Sequence, residues 1–318
     1  MSGTPSKRRH RRPVQPGALI SIVATATVVI LIGIPAMPHL LVMGDRDLPP
    51  AQHSVVAVGS LGCGSDPGGQ RDQGCPAGDI ASVVDALDPA LVLAVGDAEM
   101  PEVGDDGTGA STVWQRLAPR LRPVLSDQGR ATTALDLPAL VSSRGPDHYS
   151  YDYLGWHVIA LNGDCADAGG CGPGSPQVRW LADDLRRSKA KCTMAYWNRP
   201  RFSSARPGSD PTYDAFWQNL YAAGAELVVN THTDGYERFA RQAPNGDLDL
   251  QRGLREFVVS SGPAKATSFT GQPSPRSVVR NGRVPGVLQL TLEPTSYRWQ
   301  FVPIFGQRFR DVGTGVCH

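Results

Sequence analysis

Aromatic residues make up only 7% of this 318-residue chain, and the mean hydropathy is −0.23. Both exclude a polytopic membrane protein. Several chemistries are also missing. No Gly-x-Ser-x-Gly elbow is present, which leaves a serine hydrolase without its nucleophile turn. No Cys-x-x-Cys pair is present either, which weakens zinc ligation as a use for the cysteines. Gly59-Ser60-Leu61-Gly62-Cys63-Gly64 is glycine-rich, but it lacks the Lys-Ser/Thr of a P-loop and no helix follows directly, so nucleotide binding has little support. There is no internal repeat and no heptad pattern. What the chain does have is 41% hydrophobic residues against 19% charged, enough for a sizeable core in one large domain or two small ones. Gly 35 and Pro 27 together signal many turns and long loops.

The net charge of +1 sums two unlike parts. Lys7, Arg8, Arg9, Arg11 and Arg12 precede residue 17 with no acid among them, which leaves 26 basic residues against 30 acidic ones, a formal −4. A mildly acidic body argues against nucleic acid as a partner. Gly17 to Ile34 is uncharged and rich in Ile, Val, Ala and Leu, and the apolar run continues past Pro35 towards Leu40-Leu41-Val42-Met43. About 20 apolar residues span a bilayer, whereas a signal-peptide core is shorter. With the basic cluster inside, the expectation is a cytoplasmic segment 1–16 and a single transmembrane helix with its exit over 17–43. A linker over 44–52 and an extracytoplasmic domain over 53–318 would follow. A cleaved signal peptide is the alternative. The membrane would be the first partner, through residues 17–37, and the cell membrane the location. Ala24-Thr25-Ala26-Thr27 gives the span a small-residue face suited to packing against an envelope protein.

Cys63, Cys75, Cys165, Cys171, Cys192 and Cys317 all lie beyond the span, and an even count in an exported region favours disulfides. Closeness in sequence suggests Cys63–Cys75 and Cys165–Cys171, which leaves Cys192–Cys317 to tie down the C-terminal region.

Ser54-Val55-Val56-Ala57-Val58 reads as a buried strand ending at Gly59, and Ala90–Val95 as a second one ending in Gly96-Asp97. Helical spacing falls on 80–87, 112–121, 177–188 and 214–223. Further strands are expected at 122–125, 192–197, 226–230, 236–242, 256–260, 287–292 and 297–304. His148–Tyr153 and Trp156–Asn162 form a hairpin pattern about Gly155 whose alternating aromatics Tyr149, Tyr151, Tyr153 and Trp156 suit a packed sheet face. Residues 126–147 have weak periodicity and read as a long loop. The early βαβα order and strand-rich second half predict an α/β layered sandwich. In such folds ligands gather beyond the carboxyl ends of strands. The residues there are Gly59-Ser60, Gly96-Asp97, Ser126-Asp127-Gln128, Asn198-Arg199-Pro200 and Asn230-Thr231-His232-Thr233-Asp234.

The strand–Gly–Asp units, Trp197-Asn198-Arg199-Pro200-Arg201-Phe202 and Gly235-Tyr236-Glu237-Arg238-Phe239 resemble the calcineurin-like metallophosphoesterases. The likeness is to their purple-acid-phosphatase-like, exported branch and covers about residues 53–318. The resemblance implies an α-β-β-α sandwich and two metal ions bridged by strand-end ligands. Carried over by motif, Gly-Asp becomes Gly59-Ser60. In the second motif Asp97 is kept but the expected Tyr is Met100. Gly-Asn-His becomes Ser126-Asp127-Gln128, His-His-Pro becomes Asn198-Arg199-Pro200, and Gly-His-x-His becomes Thr231-His232-Thr233-Asp234.

The first metal would be left with Ser60, Asp97, Met100 and Asp234, a poor set. The second would keep Asp97, Asp127, Asn198 and His232, a mostly oxygen set that favours Mg²⁺, Mn²⁺ or Ca²⁺ in one weak site; the alternative is no metal at all. Gln128 cannot serve as the general acid that a His there would be. Arg199 could grip a phosphate or carboxylate, or else pair with a nearby acid. The expectation is a membrane-anchored protein that has lost dinuclear catalysis and binds or scaffolds, with a phosphorylated ligand as one candidate partner. A single-metal phosphoesterase and an accessory subunit of an envelope complex are the alternatives.

Overall fold

The computed structural model describes residues 53–59, 76–96, 110–124, 147–231, 235–262, 269 and 271–318. All of them fall in the Pro49–His318 unit. The expected transmembrane helix, the linker over 44–52 and the loop 126–146 lie outside the described residues. Among those that are described, no helix is long and apolar enough to cross a membrane.

Two sheets make up the described domain. The first runs in the order β13-β12-β11-β1-β2-β3. Its strands are β1 (Ser54–Val58), β2 (Leu91–Ala94), β3 (Leu121–Pro123), β11 (Gly286–Glu293), β12 (Ser296–Pro303) and β13 (Val312–Val316). The second has the order β10-β8-β9-β7-β6-β5-β4. It is built from β4 (Tyr149–Tyr153), β5 (Trp156–Ala160), β6 (Cys192–Tyr196), β7 (Leu227–Asn230), β8 (Tyr236–Phe239), β9 (Arg255–Val259) and β10 (Ser277–Asn281). β1, β2 and β3 are mutually parallel, as are β5, β6, β7 and β9. The remaining ladders are antiparallel.

The parallel strands are continuous apolar runs because both their faces are covered. Successive side chains of a strand point to opposite faces. Val55, Ala57, Leu91 and Leu93 therefore enter the layer between the sheets, beside Val158, Met194, Val229 and Phe257. Val56, Val58, Val92 and Ala94 face outward to α1 (Ala77–Leu87) and α2 (Ala110–Leu117), burying Ile80, Val84, Trp114 and Leu117. The outer face of the second sheet is covered by α3 (Pro176–Arg187) and α4 (Asp214–Ala222) through Val178, Leu181, Phe216, Trp217 and Leu220. α3 starts where Ser175 Oγ accepts the Val178 N–H and Pro176 supplies its fixed φ. Helices thus flank two stacked sheets, which is the expected layering.

Most expected elements lie within a few residues of their observed bounds, and β1 coincides with its run. The second helix starts earlier than expected and gives way to a 3-10 turn at Ala118–Arg120, where Pro119 has no amide hydrogen to continue an α-helix. The strand expected over 236–242 stops at Phe239. β10 and β13 were not expected.

Two disulfides match the suggested pairing, Cys165–Cys171 and Cys192–Cys317. Cys63 and Cys75 lie outside the described residues. The hairpin turns at Leu154-Gly155, both with positive φ. Tyr149 and Trp156 are buried, with Tyr151 and Tyr153 packed partly against the same core. The alternating aromatics form a packed sheet face.

Candidate functional site

All the parallel strands of both sheets run out at one edge, and there the sheets touch. Gly59, after β1, donates to Ser261 Oγ at 3.4 Å and accepts from Ser261 N at 2.6 Å, joining the ends of β1 and β9. Gly96, after β2, has φ +68, a left-handed conformation that favours glycine. Any Cβ there would also overlap Asn198, which follows β6. Gly163, after β5, lies directly under Asn198 Oδ1. Glycines at these strand ends therefore let two sheets close on a single point, with Asn198 at its centre.

Three amide side chains converge here from adjacent strands: Asn162 after β5, Asn198 after β6 and Asn230 at the end of β7. All three are at most 1% exposed. Each keeps one partner: Asn162 Oδ1 accepts Asp164 N at 2.8 Å, Asn198 Nδ2 donates to Asp164 Oδ1 at 3.4 Å, and Asn230 Nδ2 donates to the Trp197 carbonyl at 3.0 Å. Their other amide atoms, Asn162 Nδ2, Asn198 Oδ1 and Asn230 Oδ1, are buried with no hydrogen-bond partner among the described residues. A buried amide atom left unpaired is costly, so the strand ends hold a reserve of polar groups able to meet a ligand.

Arg199 follows Asn198 and turns its Nε to within 3.7 Å of Asp164 Oδ1, so the cation sits beside a carboxylate. The next loop is fixed from beneath by two buried acids. Glu256 on β9 accepts the N–H groups of Arg201 and Phe202, and burial pushes its carboxyl well above the usual range, with neighbouring Glu237 adding to the rise. Glu237 on β8 accepts from Ser204 N at 2.8 Å and from the hydroxyls of Ser204 and Ser277, both at 2.5 Å. Arg201 pairs with Asp214, and its guanidinium lies over the Phe202 ring. Tyr213 donates to the Gly163 carbonyl at 2.8 Å, and burial raises its hydroxyl's pKa.

Of the residues named from sequence, the structure brings Asn198, Arg199 and Asn230 to the strand-end edge. Ser60, Asp97, Met100, Asp127, Gln128, His232 and Asp234 lie outside the described residues. Among the described residues, no group of three His, Cys, Asp or Glu side chains is placed to hold a metal. Asn198 Oδ1 offers a single oxygen. Asp164 and Asn162 were missed, although the signal was present: Leu161-Asn162-Gly163-Asp164 is a second strand–Gly–Asp unit after a buried run, like Gly96-Asp97.

No protein-family model matches the sequence, and no curated protein does either. Solved structures match well. A purple acid phosphatase from yellow lupin seeds superimposes with a TM-score of 0.62 at 14% identity, over 84% of this chain and 54% of that one. This chain therefore spans about half the length of the lupin enzyme. GAP50 from Plasmodium superimposes with a TM-score of 0.57 at 12% identity, over 85% of this chain and 90% of that one. The fold is that of the calcineurin-like metallophosphoesterases. At this identity the metallophosphoesterase likeness carries architecture, and activity has to be argued from the site.

Proposed function

We propose that this metallophosphoesterase-fold domain has lost dinuclear metal catalysis and serves as a binding or scaffolding module, held outside the cell membrane by residues 17–37. The observation that carries this reading is Asn198. The resemblance expects an imidazole ligand at this position. The chain instead has a neutral amide wedged against Gly96 and Gly163, followed by Arg199 beside the strand-end carboxylate Asp164. Two cations in close proximity need surrounding negative charge, and this part of the edge supplies amides and one carboxylate that already lies beside a guanidinium. GAP50, described as the anchor in the inner membrane complex of Plasmodium, gives a precedent on this fold for a role other than hydrolysis. A partner in the cell envelope or a phosphorylated ligand suits such a module.

Asn198 Oδ1, buried with no partner among the described residues, favours a second reading: one weak Mg²⁺, Mn²⁺ or Ca²⁺ ion supporting a slow phosphoesterase. Turnover of p-nitrophenyl phosphate across Mg²⁺, Mn²⁺, Ca²⁺ and Zn²⁺, together with calorimetric titration of Mn²⁺, separates the two. The proposal expects no turnover above buffer with any of the four ions. Metal-dependent turnover abolished by Asp97→Ala would overturn it in favour of the single-metal enzyme.

A further inference from the structure

The stretch from Phe269 to His318 has six arginines, Arg276, Arg280, Arg283, Arg298, Arg308 and Arg310, against two acids. Both acids are engaged. Asp311 is buried and accepts from Arg238 at 2.7 and 3.0 Å and from the Tyr236 hydroxyl at 2.6 Å, and Glu293 lies 3.5 Å from His53. The six arginines therefore have no carboxylate partner in their own segment. Two of them line a hollow of about 460 Å³ at the β10 edge of the second sheet, within the range of small-molecule pockets.

Arg280 and Arg283 form the cationic wall of this hollow, and Phe269 and Phe309 the apolar one. Glu237 stands opposite Arg280 across the β8–β10 ladder, but its oxygens are held by Ser204 and Ser277. Arg280's guanidinium is instead 5.7 Å from the Phe269 ring. Arg283 is presented by a turn that Asn281 builds: its Oδ1 accepts the N–H groups of Arg283 and Val284, and its Nδ2 donates to the Val284 carbonyl. Phe309 is fixed against Phe301 and Tyr236. The floor is anchored too, since Gly235 packs directly under Phe269 and the Asn281 carbonyl. Rings beside guanidiniums that have no carboxylate partner among the described residues suit a phosphate or phosphonate carried on a flat apolar body, because the fork grips the oxygens while the rings take the body.

We infer that this hollow is a binding site for a phosphate ester with an aromatic or acyl body, lined by none of the residues at the Asn198 edge and independent of any metal there. Phenylphosphonate, which cannot be hydrolysed at its P–C bond, is the probe for calorimetry on the whole protein. Binding is expected to be salt-dependent and about tenfold weaker in Arg280→Ala/Arg283→Ala. Methylphosphonate should bind more weakly than phenylphosphonate. Arg298→Ala, an exposed arginine elsewhere, and Asn198→Ala should leave the affinity unchanged. Because Arg280 and Arg283 are exposed, their double variant should keep the wild-type circular dichroism.

Co-sedimentation with phosphatidylcholine vesicles containing phosphatidic acid, if lost in the double variant, assigns the ester to a lipid; binding of phenylphosphonate alone assigns it to a soluble ligand. Absence of phenylphosphonate binding at millimolar concentration would overturn the site. So would equal affinity in the double variant, or an equal loss in Arg298→Ala. Equal binding of methylphosphonate would remove the role given to the rings. An effect of Asn198→Ala alone would move the site to the strand ends, whereas p-nitrophenyl phosphate turnover bears only on the catalytic reading.

Discussion

Glu226 lies just before β7 with its side chain 1% exposed, and it should make the protein lose stability as the pH rises towards neutrality. Its Oε1 accepts the His318 N–H at 2.9 Å and its Oε2 is 2.6 Å from His318 Nδ1. Burial pushes its carboxyl up to about 7, against the opposing pull of the His318 N–H, Arg241 and Lys191. Between the ordinary 4.5 and about 7 the folded protein therefore holds a proton that the unfolded chain releases. The associated stability is complete below the unfolded value and is lost as the pH climbs through the folded one. Two and a half pH units at about 1.4 kcal/mol each set a ceiling of about 3.5 kcal/mol.

His318, lowered first by its own burial and then by Arg241, contributes with the opposite sign up to its ordinary 6.5. The net fall is therefore smaller at acid pH and steepest between about 6.5 and 7. Glu226→Gln keeps an acceptor and removes the titration. In urea unfolding of the disulfide-intact protein, the variant should gain on the wild type by about 2 kcal/mol between about pH 5 and about pH 8. A difference that stays flat over that range, or that favours the wild type as pH rises, would refute the reasoning.

Two further expectations concern the edges. On β13, a Cβ at Gly313 would overlap the Trp299 ring and one at Gly315 the Tyr297 ring. Gly313→Ala should therefore cost about 1–3 kcal/mol by overpacking, and a fall in melting temperature with unchanged far-ultraviolet circular dichroism would check it. The Cys192–Cys317 bridge closes a loop with 125 residues of sequence separation and Cys165–Cys171 one with 6. On the loop-entropy account, serine replacement of the first pair should cost about 5 kcal/mol and of the second about 2, read from denaturant midpoints of the two double variants.

The centre of the fold was readable because parallel strands covered on both faces must be apolar throughout, and Ser54–Val58, Cys192–Tyr196 and Leu227–Asn230 carry that pattern. The edges obey other rules. β10 alternates exposed and half-covered positions, and its outward Val278 and Arg280 blur any apolar run. β13 reads Val-Gly-Thr-Gly-Val, which looks like a turn. Its glycines are in a strand because Trp299 and Tyr297 occupy the space their side chains would need, and a single strand's sequence holds no record of its neighbour's rings. At the site, Asn198 and Arg199 were identified from motif position alone. Asp164 escapes notice because the run before it reads as a hairpin strand ending at Asn162, which hides a Gly–Asp step like the one after β2. Loop anchors such as Glu237 and Glu256 are distant in sequence from the loop they hold, and nothing local marks them.

Charge offers a stricter measure of the strand-end edge than ligand counting. Two doubly charged cations about 4 Å apart repel by on the order of 15 kcal/mol at an effective dielectric near 20. Carboxylates must offset that repulsion before any ligand bond contributes. On the described part of the edge, Asn162, Asn198 and Asn230 bring no charge, and the one acid, Asp164, lies beside Arg199. Further compensation would have to come from Asp97, Asp127 and Asp234, which lie outside the described residues. With the Arg199 guanidinium nearby, the candidate carboxylates would hold a pair of ions less firmly than a single one. A titration that saturates at two Mn²⁺ per chain would show that the balance is set elsewhere, and the proposed loss of dinuclear catalysis would fall with it. A stoichiometry of one or none is what the proposal expects.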